Sequence, residues 1–200
     1  RQKSLLLQSE LKLLQAQINP HFLFNALNAI IAVTHDDAAK ARKLLTDLSG
    51  FLRKNLKHPI EDVRLADEIE HIKAYLGIQL ARFPDRLSVE IDIPAHLLAL
   101  RVPVFTLQPL VENAINHGTA QMIRAGQVSI RAVQEAQHIF LEVEDNAGRY
   151  APEPGGDGLG MNIVDRRIKS RYGDAFGVTV SCEPDVFTRV RVCIPMEVTG

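Results

Sequence analysis

Four short stretches of this chain hold residue types whose spacing could do chemistry. In the first, Gln17-Ile18-Asn19-Pro20-His21-Phe22-Leu23-Phe24-Asn25, a single histidine follows a proline inside a helical pattern. Pro20 lacks an N–H and clashes with the carbonyl four residues back, so a helix through this stretch kinks before His21 and tilts the imidazole towards solvent. A neutral imidazole in that setting is a nucleophile near pH 7. The second stretch runs from Gln108 to Gly118, where Glu112 and Asn113 interrupt an apolar helix. Two polar side chains there are costly unless they face a site, and Asn113 offers a neutral oxygen suited to Mg²⁺, which takes few protein ligands beside phosphate oxygens. In the third, Asp145-Asn146-Ala147-Gly148, a carboxylate at a strand end can accept the exocyclic amino hydrogen of adenine, and Gly148 allows close backbone approach. The fourth, Gly155-Gly156-Asp157-Gly158-Leu159-Gly160, enters a helix whose N-terminal N–H groups can cradle anionic oxygens.

Each stretch alone has an ordinary reading: a helix-edge histidine, a hydrogen-bonded helix face, turn chemistry, a loop. Gly155–Gly160 is neither a Walker A loop nor a dinucleotide fingerprint, since no Gly-Lys-Ser/Thr ending follows. What sets the four apart is their order, with metal, adenine and phosphate candidates succeeding one another in one region rich in strands.

The elements that must position these residues follow from periodicity. Leu7, Leu11, Leu14 and Ile18 form an amphipathic seam that His21 continues, so residues 1 to about 34 read as a helix broken near Pro20. Thr34-His35-Asp36-Asp37 supplies turn and N-cap residues, and a second helix carries Ala41, Leu44, Leu45, Leu48, Leu52 and Leu56 before Pro59 stops it. Two such helices make an antiparallel hairpin whose narrow apolar stripe predicts a homodimer with a four-helix bundle. A third helix spans 65–82. Strands are predicted at 87–93, 127–133, 138–144, 178–182 and 188–194, with helices at 104–117 and 161–172. The fold class is therefore α+β: a helical hairpin over 1–60, then an α/β sandwich with a mixed sheet over 61–200.

Composition narrows the partners. Two hundred residues with 46% hydrophobic and 24% charged content are those of an ordered globular protein. A net charge of -1 gives no electrostatic reason for direct nucleic-acid binding. Cys182 and Cys193 have no metal-ligand spacing and read as reduced thiols. No run approaches the ~18 apolar residues of a membrane span. The chain opens at Arg1 within a helical pattern, so a preceding part of a longer protein is expected.

With these motifs assembled, the chain resembles the LytS-type sensor histidine kinases along nearly its whole length. Residues 17–25 are similar to that family's phosphoacceptor box, Leu107–Gly118 to its N box, Asp145–Gly148 to its G1 box and Gly156–Asn162 to its G2 box. The resemblance implies a phosphoacceptor hairpin followed by a GHKL-type ATP-binding domain. It also implies that His21 is phosphorylated from Mg-ATP and passes the phosphoryl group to an aspartate of a response regulator, of the LytTR DNA-binding type. By the same carry-over, Asn113 is the Mg²⁺ ligand, and Asn116, His117, Asp145, Gly148, Gly156, Gly158, Leu159, Gly160 and Asn162 complete the nucleotide site. The whole protein would be anchored in a bacterial inner membrane, with this portion in the cytoplasm. Where many histidine kinases carry an acid after the phosphoacceptor, this chain has Phe22. The nearest acidic candidate to orient or deprotonate the imidazole is then Glu112, while Asn25 could position water. The rival reading is a GHKL-type ATPase clamp with water as acceptor, which leaves residues 17–25 without a task.

Overall fold

The computed structural model describes residues 20–56, 62–150 and 159–196. The seam Leu7, Leu11, Leu14 and Ile18, the expected kink, and glycines 155, 156 and 158 lie outside the described residues. The chain divides into two compact units, residues 1–59 with 73–84, and residues 60–72 with 85–200.

In the first unit, helix α1 (Pro20–Thr34) is followed by α2 (Ala38–Leu56). Asp37 Oδ1 accepts the Lys40 N–H at 2.8 Å, which caps the start of α2. Ala26 and Ile30 of α1 and Ala41, Leu44 and Leu48 of α2 are buried together at helical spacing, and Leu52 is partly buried beside them. Ile78 of α3 (Leu65–Arg82) completes that cluster. The aromatic rings of Phe22, Phe51 and Tyr75 close one side, with centroids 5.3 Å apart for Phe22–Phe51 and Phe22–Tyr75 and 5.6 Å for Phe51–Tyr75. Not every seam residue is inside: Leu45 is 49% exposed.

Helix α3 is continuous, yet Leu65–Ile72 count with the second unit and the turns from Lys73 with the first. The second unit holds β1 (Asp62–Arg64), β2 (Leu87–Asp92), β3 (Arg101–Pro103), helix α4 (Gln108–Asn113), β4 (Gly126–Glu135), β5 (His138–Asp145), helix α5 (Leu159–Tyr172), β6 (Gly177–Glu183) and β7 (Phe187–Pro195). Five strands form a mixed sheet in the order β2-β4-β5-β7-β6, parallel only between β2 and β4, while β1 and β3 pair separately. Strict alternation along β5 buries Ile139, Leu141, Val143 and Asp145, and along β7 Thr188, Val190, Val192 and Ile194. Leu110, Val111 and Ile115 from the α4 region and Val164 and Ile168 of α5 fill the same core. This is the α+β arrangement with a mixed sheet expected from the pattern.

Two details differ from the sequence reading. The helix expected from residue 104 starts at Gln108, and beyond Asn113 it continues as a π turn over Ala114–Gly118. Its start is delayed because Phe105 takes a left-handed φ of 58°, and the buried Glu68 carboxylate accepts the Phe105 N–H at 2.7 Å and the Leu107 N–H at 3.1 Å. The three-residue strands β1 and β3 went unforeseen, since they are too short for a period and pair across 39 residues. Replacing Glu68 by leucine leaves both N–H groups without their acceptor. Such orphaning costs about 2–4 kcal/mol, to be read as a lowered denaturation midpoint with the slope unchanged.

Candidate functional site

In the hairpin unit, inward packing of Phe22, Ala26 and Ile30 fixes the rotation of α1 and leaves His21 exposed. One turn on, Asn25 Nδ2 lies 3.2 Å from His21 Nδ1 and 3.1 Å from Nε2. An amide N–H donates only to the ring nitrogen bearing a lone pair, and lying about equally far from both nitrogens the Asn25 amide can serve either neutral tautomer. The same outward side of α1 carries Phe24 at 68%, Leu27 at 38% and Ile31 at 68% exposure, an apolar stripe at spacings of three and four.

In the sheet unit the other candidates gather around the end of α4 and the end of β5. The π turn carries Gly118 against Asp145: a Cβ on Gly118 would stand 2.9 Å from the Asp145 Cγ, so no larger residue fits without displacing that carboxylate. Asp145 is buried, held by the Ala147 N–H donating to its Oδ1 at 2.9 Å. Burial raises its pKa to about 6, with the Ala147 and Gly148 N–H groups opposing the rise. At neutral pH the group is mainly the acceptor carboxylate. Thr188, buried and in register with Asp145 on β7, adds a hydroxyl beside it.

The turn after Asp145 is built from inside the chain. Asn146 Oδ1 accepts the Gln127 N–H at 2.8 Å and its Nδ2 donates to Ala125 O at 3.2 Å, so Asn146 belongs to the scaffold. Arg124 Nη2 donates to Asn146 O at 2.9 Å and to Asp185 O at 2.8 Å, joining this turn to the β6–β7 turn. Gly148 has a φ of 61°, and a Cβ there would fall 2.3 Å from Glu183 O. Its glycine is therefore demanded by the neighbouring hairpin as well as by the backbone conformation.

Asn113 Nδ2 and Thr119 Oγ1 are buried without a hydrogen-bond partner among the described residues. Gly160, in the first turn of α5, keeps open the space beside Asn113: its Cβ would lie 3.8 Å from Asn113 Nδ2 and 3.4 Å from Pro109 Cβ. The orphaned Asn113 atom is a donor, which fits a phosphate oxygen near the start of α5; turned over, the same amide would offer its oxygen to a Mg²⁺ held by that phosphate. Among the described residues no three His, Cys, Asp or Glu side chains converge as metal ligands, so such an ion would depend on Asn113 and phosphate oxygens. Glu112 is half-buried and accepts the Gln108 Nε2–H at 2.7 Å; burial raises its pKa and this bond opposes the rise. Asn116 and His117 lie in the π turn, where the wider helix is a common device at functional sites. Leu159 begins α5 and Asn162 is exposed in its first turn, while Gly156 and Gly158 lie outside the described residues. Strand parity could have found Thr188; Arg124 left no signal in the sequence.

Comparison with known proteins identifies the family. Residues 9–87 match the family described as histidine kinase, and residues 103–198 the histidine kinase-, DNA gyrase B- and HSP90-like ATPase family. The sensor histidine kinase BtsS of Escherichia coli (strain K12) is 57% identical over 195 residues, which cover 98% of this chain and 35% of that protein. The sensor protein LytS of Bacillus subtilis (strain 168) is 34% identical over 209 residues, covering 98% of this chain and 35% of that protein. A solved structure of the histidine kinase AdeS of Acinetobacter baumannii superposes with a TM-score of 0.52 at 18% identity, covering 96% of this chain and 97% of that one, a likeness of fold. Fold and matches together define a histidine kinase with a GHKL-type ATPase module. More narrowly, the chain belongs to the sensor histidine kinase family that includes BtsS and LytS. It spans about a third of the length of those relatives.

The raised pKa of Asp145 has a consequence for the nucleotide-free protein. The folded state holds this proton up to about pH 6 and the unfolded chain only to about 3.8, so stability from this group falls as pH rises between those values. That span bounds the effect at about 3 kcal/mol. In Asp145→Asn the loss is absent, so the variant's melting temperature should gain on the wild type from pH 4 to pH 7.

Proposed function

We propose that this chain is the kinase portion of a sensor protein, in which His21 takes the γ-phosphoryl group of Mg-ATP and passes it to an aspartate of a response regulator of the LytTR type. The observation that carries the reading is the pairing, in one chain, of an exposed histidine held by a packed hairpin with a second unit that holds both an orphaned Asn113 amide nitrogen and a buried Asp145. The family matches over both regions support it. Residues 1–60 act as the dimerisation and phosphoacceptor region, and residues 61–200 as the ATP-binding region.

In this reading Asp145, with Thr188, receives the adenine edge, and Asn113 holds Mg²⁺. Asn116, His117, the first turn of α5 from Leu159 to Asn162, and Gly156 and Gly158 surround the phosphates. A ring nitrogen of His21 attacks the γ-phosphorus; an N–P bond forms as the bond to the ADP oxygen breaks, and the proton on the other ring nitrogen passes to Glu112. The Asn25 contact must release the attacking nitrogen first, after which the amide is placed to hold water for the dephosphorylation of the regulator. The homodimer forms through the hairpin, where Phe24, Leu27 and Ile31 supply exposed apolar surface. Sensing and membrane anchoring belong to further parts of a protein longer than this chain.

His21→Gln should abolish acid-labile, base-stable phosphate incorporation from γ-labelled ATP while leaving nucleotide binding intact; incorporation at the wild-type rate would refute the assignment. Asn113→Asp and Asp145→Asn should each weaken binding of an ATP analogue with Mg²⁺ by at least about tenfold, about 1.4 kcal/mol, in calorimetric titration. Replacing both Phe24 and Ile31 by aspartate should shift the chain from dimer to monomer in sedimentation, because neither residue belongs to the buried cluster.

A further inference from the structure

Helix α3 places two acceptor or donor side chains, one turn apart, against the start of α4. Glu68 takes the Phe105 and Leu107 N–H groups, and His71 Nε2 stands 2.7 Å from Gln108 Oε1. His71 is 4% exposed and Gln108 8%. At its other end the Gln108 amide donates from Nε2 to Glu112 Oε1, also at 2.7 Å. The polarity of this chain is settled by its last member. An ionised carboxylate only accepts, so Gln108 must present its NH₂ to Glu112 and its carbonyl to His71. His71 must then carry its proton on Nε2. Turning the amide over would set two acceptors against each other at the Glu112 end.

From this geometry we infer that His71 and Gln108 are positioning residues for Glu112, fixing the direction of its carboxylate for the proton transfer proposed above. The inference rests on the role of Glu112 proposed above. A buried line of polar groups packs no better than apolar side chains of the same volume and is harmful when only partly satisfied, so stability alone gives little reason for one. Here the line leaves the core and ends on a half-buried carboxylate next to Asn113, at the mouth of the nucleotide site. Gln108, first residue of α4 and one turn before Glu112, can pass orientation on only if its own amide is held, and His71 holds it.

The test compares wild type, His71→Leu, His71→Gln, Gln108→Leu and Glu112→Gln, and adds His71→Leu, His71→Gln and Gln108→Leu in turn to Glu112→Gln. The readouts are the rate of phosphate incorporation into His21 at saturating ATP, the ATP concentration giving half that rate, and the imidazole ¹⁵N shifts of His71 without nucleotide. His71→Leu and Gln108→Leu should each slow incorporation by about tenfold or more with half-saturation within about twofold, and should add nothing in the Glu112→Gln background. His71→Gln, which can still donate to Gln108, should recover most of the rate. The ¹⁵N shifts should report the Nε2–H form in wild type and lose that fixed form in Gln108→Leu. Full additivity with Glu112→Gln would overturn the positioning role, and an Nδ1–H imidazole in wild type would overturn it even where the leucine variants fail to fold. If Glu112→Gln itself incorporates phosphate at the wild-type rate, the role of Glu112 fails instead, and the ¹⁵N result shows whether the hydrogen-bonded line survives without it.

Discussion

A carboxylate on the core-facing side of β5 is the constraint around which the sheet unit is arranged. Ile139, Leu141 and Val143 alternate into the interior, and the next position of that row is Asp145. An ionised group there loses most of its hydration, which is why its pKa rises to about 6. Everything nearby accommodates it. The π turn brings Gly118 flat against the carboxylate, Ala147 donates to it, and Arg124 and Gly148 lock the following turn onto the β6–β7 hairpin. An aliphatic residue at this register would continue the row of Ile139, Leu141 and Val143 and leave the Ala147 N–H without its acceptor.

The two units present their reactive groups in opposite ways. His21 is exposed and owes its position to what lies behind it, the aromatic trio of Phe22, Phe51 and Tyr75 and the small-residue contact at Ala26. Orientation there comes from hydrophobic packing, which tolerates polar chemistry on the outer face. Asp145 is instead enclosed and held by a backbone hydrogen bond, and glycines make room beside both it and the half-buried Asn113. Enclosure strengthens each electrostatic contact with a charged ligand, while exposure leaves an imidazole accessible to successive partners.

Helix α3 serves both environments with one sequence. Its C-terminal turns supply Tyr75 and Ile78 to the hairpin core, while Glu68 and His71 near its start hold the entry to α4. Glu68 and His71 are buried among Leu65, Ile69 and Ile72 of the same turns, so the helix reads as simply amphipathic, with no hint that its first turns hold the entry to α4.

The sequence by itself determined which chemistry was available and in what order. Local spacing sufficed for most of the helices and for the alternating strands, and it singled out His21, Asn113 and Asp145 as candidates because each stands out within a window of a few positions. Tertiary structure decided what those windows could not contain. The pairing of Asp145 with Thr188, the reach of Arg124 to the β6–β7 turn and the contact of His71 with Gln108 join positions separated by 43, 61 and 37 residues. Strand register and helix packing, not local periodicity, bring such pairs together. The helix predicted from residue 104 starts at Gln108 for the same reason, since the carboxylate that holds the preceding backbone comes from a distant helix. A residue's type and spacing declare what it can do; only the packed chain supplies the neighbours that bury it, orient it and leave one edge open.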